Sequence, residues 1–277
     1  MIVMQESLPL SLYHKAKALA WDPQHIDLTQ DLADWGRLNE REHQLIFDLS
    51  QRFLGGEQAV THDLAPLLIA IRNVQNAHQP ALFSMHDEMF LCAQLFEEAK
   101  HVEWFERWWA NFDQTGTRSS MVVAGAYVDL FEQRLPLALN RVLTDHSSEA
   151  LTTAFCTYHM IIEGVLAETG YHGYKRALHD HGLMPGTVRA VELVQRDEAR
   201  HIAYGIHALQ RLLPAQPHLR GIVDDTLNAL LPLALEIISD IFAPYGDDIP
   251  FGIDPSEFVI YAADQFDARM RALERAT

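Results

Sequence analysis

Two five-residue segments of this chain place carboxylates and a histidine at the spacing of a metal site. The segments are Glu97-Glu98-Ala99-Lys100-His101 and Asp197-Glu198-Ala199-Arg200-His201. Residues i and i+3 share a face of a helix, so the second carboxylate of each segment and its histidine can bind one metal ion. Four-helix bundles that hold two metal ions take such a pair from each of two helices and one glutamate from each of the other two. The repetition therefore predicts a dinuclear site that needs two more acids.

The chain offers several candidates for these two acids. Glu163 and Glu168 are five residues apart, which is about 140° around a helix, so only one of them can face the core. Glu163 lies in an apolar run, where an ionised carboxylate is costly unless it is paired or binds a cation, and we predict that it is a ligand. For the early helices we predict Glu57, because Glu40 and Glu42 lie in a charged run typical of a solvated face.

The first acid of each segment, Glu97 or Asp197, lies four residues before its histidine and also shares its face. The i+3 spacing recurs in such sites, so we expect Asp197 to accept a hydrogen bond from the other ring nitrogen of a ligand histidine on a neighbouring helix. Four carboxylates balance two divalent cations, and oxygen-rich ligation favours iron or manganese over zinc or copper. The predicted ligands are Glu57, Glu98, His101, Glu163, Glu198 and His201.

Composition narrows the class of protein around this site. The chain has 277 residues, 48% of them hydrophobic, which supplies an ample core. A net charge of -17 argues against nucleic acid as a partner. The most apolar stretch, 227–242, is interrupted by Pro232, Glu236 and Asp240 and falls short of the roughly 20 apolar residues of a membrane span. Glu6 stands where a signal peptide would need an uninterrupted apolar run. We therefore expect a cytoplasmic protein without a membrane span.

Helical periodicity runs through nearly the whole chain, without strand-like alternation, and predicts an all-α fold. Gly55-Gly56 is predicted to end one helix and begin the next. We expect a single domain over 1–277, with an N-terminal arm over 1–29, core helices over about 57–213 and additional helices over 217–277. The predicted helical segments are 30–54, 57–77, 84–113, 118–144, 148–181, 185–213, 217–242 and 255–275.

The residues around the predicted ligands resemble a known family. The cues are the two five-residue segments, Gly55-Gly56-Glu57-Gln58-Ala59-Val60-Thr61 and Tyr158-His159-Met160-Ile161-Ile162-Glu163-Gly164. Their order and spacing are similar to those of the radical-generating small subunit of ribonucleotide reductase, and more closely to the ligand-binding oxidases of that superfamily. The likeness covers roughly 21–204. It implies a ferritin-like four-helix bundle core with additional flanking helices.

The resemblance also implies a chemistry. In that family the first metal position holds manganese, and it is similar to Glu57, Glu98 and His101 here. The second position holds iron, and it is similar to Glu163, Glu198 and His201. A long-chain fatty acid bridges the metals, and oxygen activation leaves an ether cross-link between residues that correspond to Val60 and Tyr158. Tyr158 lies five residues before Glu163, so we expect a widened helical turn there. The implied protein is an oxidoreductase that activates dioxygen beside a fatty acid and forms a homodimer.

Three other functions compete with this one. A true ribonucleotide reductase subunit passes a radical through a tyrosine near a flexible C-terminal tail, whereas the last tyrosine here is Tyr261 and 266–277 has a charged helical pattern, which disfavours that alternative. An iron-storage subunit is usually a shorter, compact bundle. A metal-free lipid-binding bundle would leave several buried carboxylates unpaired.

Overall fold

The computed structural model describes residues 7–76, 82–113 and 124–275. These residues form helices and connecting segments without a β-strand, so the predicted all-α fold is confirmed. Two helices are composite: α6 consists of Ala126–Val128, the π-helical turn Asp129–Arg134 and Leu135–Arg141, and α7 consists of Ser148–Phe155, the π-helical stretch Cys156–Ala167 and Glu168–Ala177. The other helices are α1 Leu8–Ala18, α2 Thr29–Trp35, α3 Glu40–Asp63, α4 Ala65–Asn76, α5 Met85–Phe112, α8 Pro185–Ala215, α9 Leu219–Phe242 and α10 Pro255–Glu274.

Side-chain caps define where the helices begin. A capping box of Asn39 and Glu42 begins α3, and the Ser147 hydroxyl accepts a hydrogen bond from a backbone N–H at the start of α7. The residue before α8 has no such cap, and Asp31 of α2 accepts hydrogen bonds from the backbone N–H groups of Gly186 and Thr187 at 2.8 and 2.6 Å. The N-terminus of α8 is therefore satisfied by a distant part of the chain.

The predicted helix boundary at Gly55-Gly56 is wrong. Helix α3 continues through both glycines, so Glu57 lies inside this helix and the first core helix begins at Glu40 instead of near residue 57. The glycines admit side chains of α6, because a Cβ at Gly55 would lie 2.5 Å from the hydroxyl oxygen of Tyr127. Sequence alone does not distinguish a glycine that ends a helix from one that allows such an approach.

Two other predicted segments also change. The predicted helix 30–54 is divided between α2 and α3, and the N-terminal arm over 1–29 contains α1 and a short 3-10 turn, Pro23–His25. Ser7, which caps α1, contacts His86 of α5 at 2.9 Å between Oγ and Nδ1. The arm is therefore attached to the bundle. The start of the predicted helix 118–144 lies outside the described residues.

The widened turn predicted before Glu163 is confirmed, because Cys156–Ala167 is π-helical. A π-helix closes hydrogen bonds between residues five apart, so it brings Tyr158 and Glu163 toward a common side of α7. This local change in winding is what allows one helix to present both side chains to the interior.

Two helical stretches are long and apolar enough to cross a membrane by length and composition, Ser148–His181 and Leu219–Tyr245. The first is 83% buried inside the protein, as expected for a core helix. The second is 39% buried and packs Ile237 and Ile238 against the interior. The absence of a membrane span stays a prediction.

The approach of α8 to α7 depends on Gly205, because a Cβ there would lie 2.3 Å from Cβ of His159. We expect Gly205→Ala to reduce the free energy of unfolding by about 1–3 kcal/mol, since the helices must separate or His159 must move. The matched control is Gly221→Ala in α9, where no atom lies within 4 Å of the added Cβ and a gain of about 0.5–1 kcal/mol is expected. Thermal unfolding of the metal-free variants measures both effects, and equal midpoints would contradict the prediction.

Candidate metal centre

The structure brings the six predicted ligands together between four helices. They come from α3 (Glu57), α5 (Glu98 and His101), α7 (Glu163) and α8 (Glu198 and His201), and all six are buried. Their ligand atoms form two groups, within each of which the atoms lie within 4.8 Å of one another: Glu57, Glu98, His101 and Glu198, and Glu98, Glu163, Glu198 and His201. Because Glu98 and Glu198 belong to both groups, two metal ions bound there would share these carboxylates. We call the six residues the cage.

Each histidine of the cage directs Nδ1 toward the carboxylates. The Nδ1 atom of His101 lies 3.1 Å from Oε1 of Glu198 and 3.5 Å from Oε2 of Glu57. The Nδ1 atom of His201 lies 3.0 Å from Oε1 of Glu98. Nδ1 is therefore the ring atom that each histidine offers to a metal ion.

The Nε2 atom of each histidine meets an acid from the other helix. Asp197 of α8 places Oδ2 3.4 Å from Nε2 of His101, and Glu97 of α5 places Oε2 3.0 Å from Nε2 of His201. The contact expected for Asp197 is present, but the matching contact of Glu97 was not predicted. The signal was available, because Glu97 and Asp197 occupy the same position in the two five-residue segments.

Two buried cations neutralise these outer acids. Nζ of Lys100 lies 2.6 Å from Oδ2 of Asp197, while Arg200 donates to Oδ1 of Asp197 at 2.5 Å and also to Glu97. The indole N–H of Trp21 donates to Oδ2 of Asp197 at 2.7 Å. The two acids, Glu97 and Asp197, and the two cations, Lys100 and Arg200, together carry no net charge. The charges of this outer layer are therefore balanced without a metal ion. The sequence patterns did not identify Lys100, Arg200 or Trp21 as part of the site.

The cage itself lacks such compensation. The Oε2 atom of Glu163 is buried and has no hydrogen-bond partner among the described residues. Buried carboxylates are costly unless they are paired or bind a cation, and two divalent ions would balance the four carboxylates. Carboxylate oxygens with imidazole nitrogens suit iron or manganese. The residues present therefore fit two metal ions.

Protons occupy the same atoms when no metal is bound. Burial raises the pKa of Glu57 to about 8 and raises that of Glu163 well above its usual range. Burial alone would lower the pKa of His101, but Glu57 and other neighbouring acids raise it well above its usual range. Metal ions must displace these protons, so metal affinity increases as pH rises toward 8.

The predicted cross-link pair lies beside the cage. Tyr158 is fully buried, and its hydroxyl donates to Oε1 of Glu98 at 2.6 Å and accepts from Nε2 of Gln94 at 3.2 Å. Val60 is buried and follows Glu57 by three residues on α3, so the two share a face. No sequence pattern indicated Gln94, because a lone glutamine in an apolar helix has no motif.

A cavity joins the cage to an apolar interior. Its lining includes the four cage carboxylates, Val60 and Tyr158. Along α3 the lining extends from Val60 back to Leu45, which is about 20 Å of helix. Most of the remaining wall is aliphatic or aromatic and comes from α3, α6, α7, α9 and α10. The cavity is therefore a long apolar chamber with carboxylates near one end.

The two groups of ligand atoms predict that Glu97 and Glu98, which are neighbours on α5, contribute differently to metal binding. We expect Glu98→Gln to bind less than half as much metal as the unmodified protein, because Glu98 belongs to both groups. Glu97→Gln should keep both metal ions with affinity reduced about 10–100-fold, since Glu97 contacts only the far nitrogen of His201. Elemental analysis after dialysis measures both, with the exposed Glu103→Gln as control. Loss of metal in Glu97→Gln but not in Glu98→Gln would show that Glu97, and not Glu98, lies on the metal-binding face of α5.

The family model of the ribonucleotide reductase small chain matches residues 3–274. Solved structures of an R2-like ligand-binding oxidase cover 99% of this chain. A tyrosine-to-phenylalanine variant with an aerobically reconstituted Mn/Fe cofactor has a TM-score of 0.89, 29% identity and 95% of its own chain covered. The long-soak form has a TM-score of 0.88, 29% identity and 95% coverage, and a valine-to-leucine variant reconstituted anaerobically has 0.87, 30% and 96%.

These matches extend over nearly the whole chain, beyond the stretch of residues that carried the resemblance in sequence. They confirm the ferritin-like bundle with its flanking helices. The chain therefore belongs to the ribonucleotide reductase small-chain family, and with its carboxylate and histidine cage it is a metal-dependent oxidoreductase.

Proposed function

We propose that this protein is an oxidase that activates dioxygen at a dinuclear manganese/iron site beside a bound long-chain fatty acid. The observation that carries the proposal is the continuity between the cage carboxylates and the long apolar cavity. The Mn/Fe cofactor of the structurally similar oxidases supports the choice of metals. When bound, the metal pair supplies the redox chemistry.

The protein residues divide between the two metal positions. The manganese position consists of Glu57, Glu98 and His101, and the iron position consists of Glu163, Glu198 and His201. Asp197 and Glu97 hold the two imidazole rings through Nε2, which fixes the ring atom presented to the metal. The cage is rigid because these outer acids are themselves held by buried cations.

The cavity suits the tail of a fatty acid. A carboxylate head can lie at the cage, while the chain extends along α3 toward Leu45 between side chains such as Ile162, Leu166 and Ile238. A pocket with this apolar lining and a few polar groups at one end is typical of sites that enclose an apolar ligand. The ligand excludes water from the cage, and exclusion of water strengthens the electrostatic interactions there.

The proposal includes an ether cross-link between Val60 and Tyr158. The Cβ–H bond of Val60 and the O–H bond of Tyr158 break, a Cβ–O bond forms, and the two electrons and two protons pass to dioxygen. Burial raises the pKa of Tyr158 well above its usual range, so the phenol keeps its proton until it is oxidised. Glu98 is placed to accept that proton at 2.6 Å, and Gln94 holds the phenol oxygen from the other side.

The proposal also includes a homodimer. Met85 and Phe96 of α5 are 61% and 63% exposed, and Cys92 between them is exposed as well. Spacings of seven and four residues place these side chains on one face of α5. An exposed apolar stripe of this kind is typical of a surface that a second copy covers.

The metal and ligand content tests the function directly. Protein loaded anaerobically with manganese and iron and then exposed to oxygen should contain one ion of each metal and release about one long-chain fatty acid on denaturation. Elemental analysis and mass spectrometry of an organic extract measure these quantities. Protein from several hosts that contains both metals but no lipid would contradict the ligand, and protein with two iron ions would contradict the heterodinuclear site.

Peptide mapping tests the cross-link. Aerobically reconstituted protein should yield a joined peptide pair, lighter by two hydrogens than the sum of its parts, that contains Val60 and Tyr158. Tyr158→Phe and metal-free protein should yield separate peptides. Tyr174→Phe is the matched control, because Tyr174 is another buried tyrosine of the cavity wall whose hydroxyl pairs with Ser50 at 2.7 Å, and it should still cross-link. Unlinked peptides after full reconstitution would favour the alternative of a radical-generating ribonucleotide reductase subunit.

A further inference from the structure

His159 is a fully buried residue of the π-helical stretch of α7 that does not belong to the cage. Its ring lies next to that of Tyr158, with ring centroids 4.5 Å apart. A Cβ built at Gly205 of α8 would lie 2.3 Å from Cγ of His159, so this glycine leaves the space that the imidazole occupies. A buried imidazole is costly unless its nitrogens have polar partners. The partner of His159 therefore bears on what this residue does.

The polar neighbour of His159 is the side-chain amide of Gln94 on α5. Nε2 of Gln94 lies 3.4 Å from Nε2 of His159 and 3.2 Å from the phenol oxygen of Tyr158. The phenol has one hydrogen, and Oε1 of Glu98 accepts it at 2.6 Å. The phenol oxygen can therefore only accept from Gln94, so the amide presents its NH2 group there. Because the same nitrogen faces His159, the imidazole is the acceptor at Nε2.

A neutral imidazole can accept this hydrogen bond. Burial, with a smaller effect of the His201 charge, lowers the pKa of His159 to about 3. At neutral pH one ring nitrogen therefore carries a hydrogen and the other has a free lone pair. Since Nε2 accepts from Gln94, the hydrogen lies on Nδ1, which has no hydrogen-bond partner among the described residues. The amide of Gln94 and the tautomer of His159 thus fix each other.

One other acceptor lies near the Gln94 amide. Oε1 of Glu163 is 3.3 Å from Nε2 of Gln94, but it is also 3.3 Å from Nδ1 of His201 within the cage. Both nitrogens of His159 lie outside the two groups of ligand atoms. His159 is therefore the neighbour that can hold the amide whether or not the cage is occupied. Without an acceptor there, the amide can turn by half a rotation and exchange its oxygen and nitrogen.

We propose that His159 is a positioning residue for the cross-link and acts through Gln94 on Tyr158. The inference rests on the proposed cross-link and adds a residue outside the cage. Nε2 of His159 accepts one N–H of Gln94, and the other N–H binds the phenol oxygen, so the phenol hydrogen stays with Glu98. If the amide turns, its oxygen faces the phenol, which then divides its hydrogen between Gln94 and Glu98. The phenol oxygen is then no longer held in one orientation toward Val60.

The initial rate of cross-link formation tests this role. Protein loaded anaerobically with manganese and iron is mixed with oxygenated buffer, stopped in acid at set times and mapped as peptides. His159→Phe keeps an aromatic ring and removes the acceptor, and the rate should fall by about 2–10-fold, which is the effect of one hydrogen bond. Elemental analysis should find both metal ions retained, because His159 belongs to neither group of ligand atoms.

Two further variants separate positioning from packing. His159→Gln places an amide oxygen at about the reach of Nε2 and should restore most of the rate, whereas an effect of shape alone would leave the rate low. His43→Phe is the matched control. His43 is a histidine of α3 whose Nε2 contacts the backbone oxygen of Trp35 at 2.8 Å and which lies outside the cavity lining. This variant should form the cross-link at the unmodified rate.

Infrared spectroscopy measures the hydrogen bonds of Tyr158 without the cross-link. The spectrum of metal-free protein minus that of the same protein with Tyr158→Phe isolates the C–O stretching band of this phenol. We expect the band to shift in His159→Phe and to keep its position in His43→Phe. Only the first variant changes which atom of Gln94 faces the phenol.

The outcomes separate this inference from the function on which it rests. Absence of the cross-link in unmodified protein would contradict the proposed function, and the infrared band would still test the orientation of Gln94. Cross-linking of His159→Phe at the unmodified rate would overturn the positioning role, as would a low rate that His159→Gln does not raise. An unshifted infrared band in His159→Phe would show that His159 does not hold the amide.

Discussion

The rest of the structure depends on the mutual repulsion of four carboxylates buried between four helices. Glu57, Glu98, Glu163 and Glu198 each come from a different helix, and their oxygens meet in a space that excludes solvent. At low dielectric this arrangement requires either protons or metal ions to reduce the repulsion. The raised pKa of Glu57 shows that this carboxylate binds a proton more readily than an exposed one does. Convergence of the helices is therefore coupled to what occupies the cage.

The acids around the cage are already paired with cationic side chains, whereas the carboxylates of the cage are not. Lys100 and Arg200 neutralise Glu97 and Asp197, and each of these acids holds the histidine of the opposite helix. This reciprocal layer ties α5 to α8 and sets the ring orientation of both histidines. Since it carries no net charge, it neither competes for the metal ions nor offsets the four inner carboxylates.

On the side of the cage formed by α3 and α7, the helices line the apolar cavity. Helices α3 and α7 each contribute one glutamate, and their remaining inner faces form the wall of the cavity. The π-helical stretch of α7 brings Tyr158 and Glu163 to one side, so this buried phenol and a carboxylate of the cage come from the same segment. The four helices thus divide between a charged side, where the outer acids are paired with cations, and an apolar side that lines the cavity.

The sequence by itself determined the parts of the protein that follow from local spacing and from the cost of burial. Helical periodicity predicted the all-α fold, the i+3 pairs identified both histidines, and an acid in an apolar run identified Glu163. Only the tertiary structure showed that α3 runs through Gly55-Gly56, that Glu97 holds His201 and that Trp21 meets Asp197. These contacts join residues up to 176 positions apart, so they depend on how the helices pack, which no periodicity within one helix records.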